Sequence, residues 1–560
     1  MLNRLTDHAP DARLHVDVAI VGAGAAGITL ARALLGRGLS VCLVESGDAD
    51  YDPEVQDLSI GETHGQPYYD LRDARLRFFG GTTAIWGGRC MPLDPIDYRA
   101  RPWVPQSGWP VGKAALAPWL RKAGSGLGLR FERFDARLRE ALELPEFPLE
   151  GAGLETVFWQ FDHAFWRFGL PNCQDLAQAD DLRILLGATL VDILTDPQAR
   201  HVQDLQLAGR DGQRRWLRAR QVVLAAGGIE NPRLLLNARG TMPMGLGNAK
   251  DQVGRYFMEH PRALIGCVHG QDGLRLWQAY RAFHKAGAKL TPALRLPDAE
   301  QEVRGVLNAA VTLKYRPNSG RSLLAHLYEE ARHRGSPNRL VRRIWSMKSL
   351  IDRAVVQGAE MALRRAQIAA GAGSFQVMVR AEQAPDPESR ITLSAMRDAL
   401  GQPMARLDWR IGVQEVATAR VMGEVFGAAL DRAGIGGFAR ADWLDDAAAG
   451  WPTDPTISGH ALGGYHHMGT TRMGTDPRTS VVDPDCRLHG VDNLWIAGSS
   501  VFPTGGWSNP TLTIVALSLR LAERVAAEAE RTRQARPART TGKGAAAHGP
   551  RAPSGLSCAP

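Results

Sequence analysis

Two adjacent imidazoles, His466 and His467, sit in the glycine-flanked stretch Gly463-Gly464-Tyr465-His466-His467-Met468-Gly469. A neutral imidazole suits the task of taking a hydroxyl proton near pH 7, because its ordinary pKa of about 6.5 leaves it mostly unprotonated yet still basic. If the stretch is extended, the two rings point to opposite faces and only one meets a given substrate. Further on, Ser508-Asn509-Pro510-Thr511 opens an amphipathic helical pattern. On its own, Asn509 reads as the cap of the helix that follows Pro510. His460, His489 and the acidic pairs Asp445-Asp446 and Asp180-Asp181 lack the partners a metal site needs, so they read as structural or solvated groups and no metal is expected.

A second constellation is Gly22-Ala23-Gly24-Ala25-Ala26-Gly27. The first glycine permits a tight turn, the second lets the backbone approach a pyrophosphate, and the third packs helix against strand, leaving the helix N-terminus to face phosphate. Glu45 ends the next apolar run, where an acidic side chain can accept hydrogen bonds from ribose hydroxyls. The pattern predicts a dinucleotide site and does not by itself separate NAD from FAD.

These groups need elements to hold them. Residues 16–47 read as strand, glycine turn, helix and strand, a βαβ unit. Residues 201–228 alternate around a turn at Gly212 and end in the apolar run Val222–Ala226, an antiparallel excursion returning to the main sheet. Residues 493–525 supply a strand, a Gly/Pro-rich loop and a long helix. The expected architecture is therefore α/β, more broadly α+β: a Rossmann-type domain with a parallel sheet, drawn from 12–90, 180–261 and 455–528. It is interleaved with a substrate domain on an antiparallel sheet, drawn from 91–179 and 262–454.

The chain has 560 residues, 44% hydrophobic and 22% charged, ordinary for a globular protein. Its net charge of +8 is local: residues 321–368 carry ten Lys/Arg against four Asp/Glu, and residues 531–560 carry six against none. The remainder is slightly acidic, which argues against nucleic acid as a partner. The basic insert at 318–370 reads as a solvated helical excursion, with contact to a protein or an anionic membrane surface as the sharper alternative. The tail from 529 to 560 reads as disordered. Six scattered cysteines without a CxxC pair read as reduced thiols. With no long apolar run and no separate apolar leader, a cytoplasmic enzyme is expected.

Three further segments carry a resemblance: GGTTAIWGGR (80–89), VVLAAGGIENPRLLL (222–236) and NLWIAGSSVFPTGG (493–506). In this order they resemble the glucose-methanol-choline oxidoreductases, over most of residues 15–525. The resemblance implies FAD as cofactor and oxidation of an alcohol, with hydride passing to the flavin N5. It implies that Gly80, Gly81, Thr82, Thr83 and Trp86 lie along the flavin ring or ribityl chain and that Gly498 and Ser499 approach the pyrophosphate. It further implies that Val191 meets adenine through its backbone, and that Ala226, Asn509 and Thr511 border the cofactor. It selects His466 as the base and Asn509 as its partner. Ile85 stands where covalently flavinylated members have histidine, so FAD is expected to be held non-covalently. Similarity to sugar-oxidising members implies a sugar-like alcohol as substrate and an external electron acceptor, whether oxygen, a quinone or a redox protein. Steroids, amino alcohols and natural-product intermediates are the alternative substrates. The rival functions are a lyase-type elimination with structural FAD, and a non-catalytic FAD protein docking through the basic insert.

Overall fold

The apolar run Val18–Val21 is the start of the architecture, because a strand with no polar face must be covered on both sides. In the computed structural model, which describes residues 1–162, 167–316, 374–452 and 464–534 together with Ala164 and Ala366, this run ends the strand Arg13–Val21 at the centre of a sheet. Leu2–Arg4, Leu182–Leu186, Val41–Val44, Arg13–Val21 and Arg214–Leu224 lie side by side and parallel. Leu494–Ile496 pairs in parallel with Val222–Leu224, while Arg214–Leu217 pairs antiparallel with Val202–Ala208, which in turn pairs with Thr189–Thr195. The antiparallel excursion read from residues 201–228 is thus present. Helices Ala25–Leu34 and Thr511–Gln534 pack together over this sheet, their apolar sides merging into one core.

The second sheet is antiparallel throughout and runs Phe438–Arg440, Arg262–Val268, Ser374–Ala381, Ala309–Arg316, Ala288–Arg295, Glu155–Phe161 and Arg89–Cys90. Its two faces differ sharply. Phe158, Leu290, Leu294, Val311, Val377 and Val379 are buried in a core with Met422 and Phe426 of the helix Val413–Arg432. On the other face, Arg262 pairs with Arg380, Arg380 with Ala310, and Arg89 with Phe161, which puts these groups, Trp159 and Lys314 on the side away from that core.

Several expected boundaries move. The first sheet takes in Leu2–Arg4, ahead of residue 12, and Arg89–Cys90 belongs to the second sheet although it was expected in the first domain. Arg390–Arg397 and Pro403–Trp409, expected to extend the second sheet, instead form a separate three-stranded sheet with Gly61–Gly65. The last helix continues to Gln534, past the expected boundary at 528, because the helical repeat still buries Ala529 completely. The basic insert 318–370 lies outside the described residues, except Ala366, and so does the tail beyond Gln534. No helix among the described residues is long and apolar enough to cross a membrane.

One carboxylate joins three of these parts. Glu230, in the helix Gly227–Asn237, meets Arg75 at 2.5 Å, Arg77 at 2.9 Å and Arg233 at 3.1 Å, and Arg233 also reaches Asp398 at 2.5 Å. Burial alone would raise the Glu230 pKa, but Arg77, Arg233 and Arg75 outweigh it and hold the group well below the usual range. Replacing Glu230 by Gln leaves buried Arg75 and Arg77 without a carboxylate and Arg233 with Asp398 alone. We expect Glu230→Gln to cost on the order of 3–5 kcal/mol, read as a lower midpoint in denaturant unfolding; an unchanged midpoint would show that the cluster does not hold the segments together.

Candidate active site

The glycine turn is built as its sequence requires. Gly22 has φ +107°, and a Cβ there would stand 2.6 Å from Ala225 O; a Cβ on Gly27 would stand 1.9 Å from Gly22 O. Gly24, the N-cap of the helix Ala25–Leu34, has open space where its Cβ would be, and so does Gly498, at φ +105°, before the turn Ser499–Val501. These are the features a bound pyrophosphate needs: room at the backbone, and a helix N-terminus facing it. Glu45 accepts from Ala23 N and Gly47 N, each at 2.9 Å, which fixes its carboxylate at the turn and leaves lone pairs for ribose hydroxyls. Burial raises its pKa, and those backbone donors oppose the shift.

The loop of residues 80–86 folds back onto this turn. Gly80 N donates to Ala23 O at 2.8 Å, and Thr83 Oγ1 accepts from Ala25 N at 3.1 Å. Thr82 Oγ1 accepts from Leu76 N at 3.1 Å, so both threonine hydroxyls brace the loop. Gly81 begins the short turn Gly81–Ile85, and Trp86 follows it, its ring 5.9 Å from Phe168. Val191 falls at an irregularity in its ladder, between the paired Leu190 and Asp192, and its carbonyl accepts from Asn237 at 3.2 Å. Ala226 N donates to Asn231 Oδ1, while Asn231 Nδ2 reaches Ala497 O and Ser500 Oγ, tying the second and third family-like segments together. Ala25, Ala26 and Thr511 are buried in the first turns of their helices. Gly80 and Thr83 thus meet the glycine turn directly through Ala23 and Ala25, and Asn231 joins Ala226 to Ser500.

The two histidines separate as expected of neighbours on an extended segment, and the reason is a short antiparallel bridge. Met258 and Met468 exchange backbone hydrogen bonds at 3.0 Å each. Two residues out from that pair, on the same side, His260 faces His466, and on the other side Glu259 faces His467. His466 Nδ1 lies 2.8 Å from His260 Nδ1, and His466 Nε2 lies 3.2 Å from Asn509 Nδ2. Arg380 Nη1 donates to Asn509 Oδ1 at 2.8 Å. Asn509 is therefore a partner of the imidazole, not a helix cap.

The donors fix the tautomers. Arg380 has only donors, so the atom facing it is the Asn509 oxygen and the Asn509 amide donates to His466 Nε2. His466 Nε2 is then an acceptor, its proton sits on Nδ1 and is donated to His260 Nδ1, and His260 Nε2 donates to Gly505 O at 3.3 Å. The result is a basic lone pair on His466 held in place from both sides. Burial, then His260, Arg380 and Arg262, push the His466 pKa well below its ordinary value. Burial brings His260 and His467 to about 3. His467 packs against Tyr68, whose hydroxyl lies 2.9 Å from Nε2 and donates to Glu259 Oε1 at 2.7 Å.

Sequence reasoning missed His260, Glu259, Arg380 and Tyr68. Nothing in Met258-Glu259-His260-Pro261 has a chemical spacing of its own; the signal is the register of a two-residue bridge to a segment some two hundred positions away. A cleft of about 1240 Å³ lined by Lys113, Arg130, Arg133, Glu150 and Leu512 holds none of these groups.

Residues 385–518 match the family described as GMC oxidoreductase, and residues 17–246 the family described as FAD dependent oxidoreductase. Paromamine 6'-oxidase of Streptomyces fradiae is 26% identical, with 91% of each chain covered. Fructose dehydrogenase large subunit of Gluconobacter japonicus is 28% identical over 61% of this chain, a match that spans 54% of that protein's length. A solved structure of formate oxidase from Aspergillus oryzae RIB40 shares the fold, with a TM-score of 0.52 at 16% identity over 94% of this chain and 100% of that one.

The unprotonated imidazole is the form that acts as a base, and a lowered pKa keeps it unprotonated to more acid pH. The rate of flavin reduction is therefore expected to stay level as pH falls through about 6.5, the ordinary histidine value, and to decline only below it. Arg380→Met removes one of the charges that oppose protonation and moves that acid limb upward. An acid limb at or above 6.5 in the unmodified protein would contradict the lowering that burial and these neighbours give His466.

Proposed function

The chain belongs to the GMC oxidoreductases and uses FAD, and from that premise we propose that it oxidises a CH–OH group of a sugar or polyol, with His466 as the base. The observation that carries this reading is the directed chain Arg380, Asn509, His466, His260, which leaves one basic lone pair, on His466 Nε2, next to an amide donor. A substrate hydroxyl donating to Nε2 takes the place of the Asn509 N–H, which is then free to donate to the same oxygen and orient it. As the hydroxyl proton moves to Nε2, His260 Nδ1 continues to accept from His466 Nδ1 and stabilises the imidazolium that forms. Bound FAD supplies the acceptor for the hydride leaving carbon.

A fructose dehydrogenase among the relatives supports a polyhydroxy substrate. Ile85, about half exposed at the end of its turn, has no nucleophilic atom with which to bond the cofactor, which supports non-covalent FAD. The electron acceptor is external: oxygen, a quinone or a redox protein. Cys42, Cys90, Cys173, Cys267 and Cys486 are free thiols, which suits a cytoplasmic location.

The test is anaerobic mixing with sugars and polyols while the visible flavin spectrum is followed. His466→Ala is expected to retain FAD and to slow reduction roughly 10²–10⁴-fold, the usual reach of a general base; reduction at the original rate would remove His466 from the reaction. Acid precipitation is expected to release all the flavin into the supernatant, and a yellow pellet would overturn non-covalent binding.

A further inference from the structure

Buried arginines in this protein are generally met by carboxylates: Arg101 by Glu382 at 2.6 Å, Arg75 and Arg233 by Glu230, Arg215 by Asp211 at 2.8 Å. Arg472 is an isolated exception, held by Gln106 O and the Tyr256 ring; beside His466 the exceptions cluster. Arg380, 6% exposed, and Arg89 and Arg262, half-buried, have no carboxylate within ion-pair distance among the described residues, and Arg262 Nε has no hydrogen-bond partner. Strand register places all three and Lys314, whose side chain lies along this face, on the same side of the second sheet. Arg89 and Arg380 both stack on Trp159, their guanidinium carbons 5.1 Å and 5.4 Å from its ring centre, while Arg380 also holds Asn509. Glu259 is the nearest carboxylate felt by Arg262 and Arg380, and its oxygens are already taken by Tyr68 and by backbone N–H groups of His260, His466 and Gly464.

The four cations repel one another. Burial and then Arg262 lower Arg89 to about 10; burial and then Arg262, Arg89 and Arg380 lower Lys314 to about 8. Burial, with Arg262 and Arg89, holds Arg380 well below its ordinary range. Uncompensated cations in one partly dry face are costly to the fold, and such an arrangement persists where a ligand supplies the missing charge. Guanidinium groups set on an aromatic ring are also held in the fixed orientation that recognition of a planar or tetrahedral oxyanion requires.

We propose that the polyhydroxy substrate carries an oxyanion, received by Arg380, Arg89, Arg262 and Lys314, while its reacting hydroxyl meets His466 and Asn509. This rests on the alcohol-oxidation reading above and names the substrate class within it. A sugar acid, with a carboxylate, and a phosphosugar share the chemistry that this face recognises. Because Arg380 bonds Asn509 directly, the anion and the reacting hydroxyl lie on one short substrate, with charge at one end and chemistry at the other.

The experiment uses the FAD-loaded protein without oxygen and reads two signals from the flavin spectrum: the saturable perturbation that reports binding, and the bleaching that reports oxidation. Glucose, glucuronate and glucose 6-phosphate are compared, with inorganic phosphate as a competitor that cannot be oxidised. The expected result is binding of at least one anion about tenfold or more tighter than glucose, competition by phosphate, and a preference that falls roughly tenfold in Arg89→Met and in Lys314→Met and returns in Arg89→Lys. Preference for glucuronate identifies a sugar acid; preference for glucose 6-phosphate identifies a phosphosugar. Equal or tighter binding of glucose, with no competition by phosphate, overturns the anion site even if glucose bleaches the flavin. Anions that bind tightly but never bleach the flavin uphold the anion site and count against alcohol oxidation instead. No saturable perturbation by any anion also overturns the proposal, and this measurement needs no variant to fold.

Discussion

A fully buried carboxylate, Glu259, accepts from the Tyr68 hydroxyl and from the backbone N–H groups of His260, His466 and Gly464. The segments that carry Tyr68, His260 and His466 take their relative positions from those bonds. A carboxylate placed in a dry interior must be saturated with donors, and here the donors come from three parts of the chain, so satisfying one charge aligns all three. Burial raises the pKa of Glu259 and the donors pull it back. The backbone held by Glu259 sets the bridge between Met258 and Met468, and that bridge decides which histidine faces His260 and which packs beneath Tyr68.

The scaffold divides its work accordingly. The parallel sheet provides the cradle for the dinucleotide, and the antiparallel sheet provides a dry face for its own stability and a charged, aromatic face toward the imidazole. Helix Gly227–Asn237 couples the two: its start runs so close to the segment that carries His466 that a Cβ on Gly228 would lie 2.5 Å from His467 O, and Thr470 Oγ1 donates to Gly228 O at 2.6 Å. Such contacts leave little freedom for the imidazole to drift relative to the cofactor cradle, which suits a reaction that depends on alignment of two transfers.

Much of this was legible in the sequence wherever the information is local. The glycine turn, Glu45 and the excursion around Gly212 could be read because tight turns and two-sided burial restrict residue types within a few positions. His466 and Asn509 could be named only through resemblance, and their contact could not be read at all. His260, Glu259 and Arg380 escaped because their roles arise from pairing between strands that are distant in sequence, and no spacing marks a residue that becomes a neighbour through register. The small sheet of Gly61–Gly65 with Pro403–Trp409 was invisible for the same reason. The helix end at Gln534 was misread because composition shifts toward Arg before the apolar stripe stops.

The strand Leu494–Ile496 lies against Val222–Leu224, on the side of the first sheet opposite to Arg13–Val21. During synthesis on the ribosome, that edge has no partner until Leu494–Ile496 have emerged, some 270 positions after Leu224. For all that time an apolar strand with free backbone groups is open to pairing with other nascent chains. Release from this hazard comes with the segment from Leu494 onward, which also brings Gly498 and Asn509. Completion of the sheet and of the Asn509–His466 contact are therefore a single late event, and a chain cut short before residue 494 has neither.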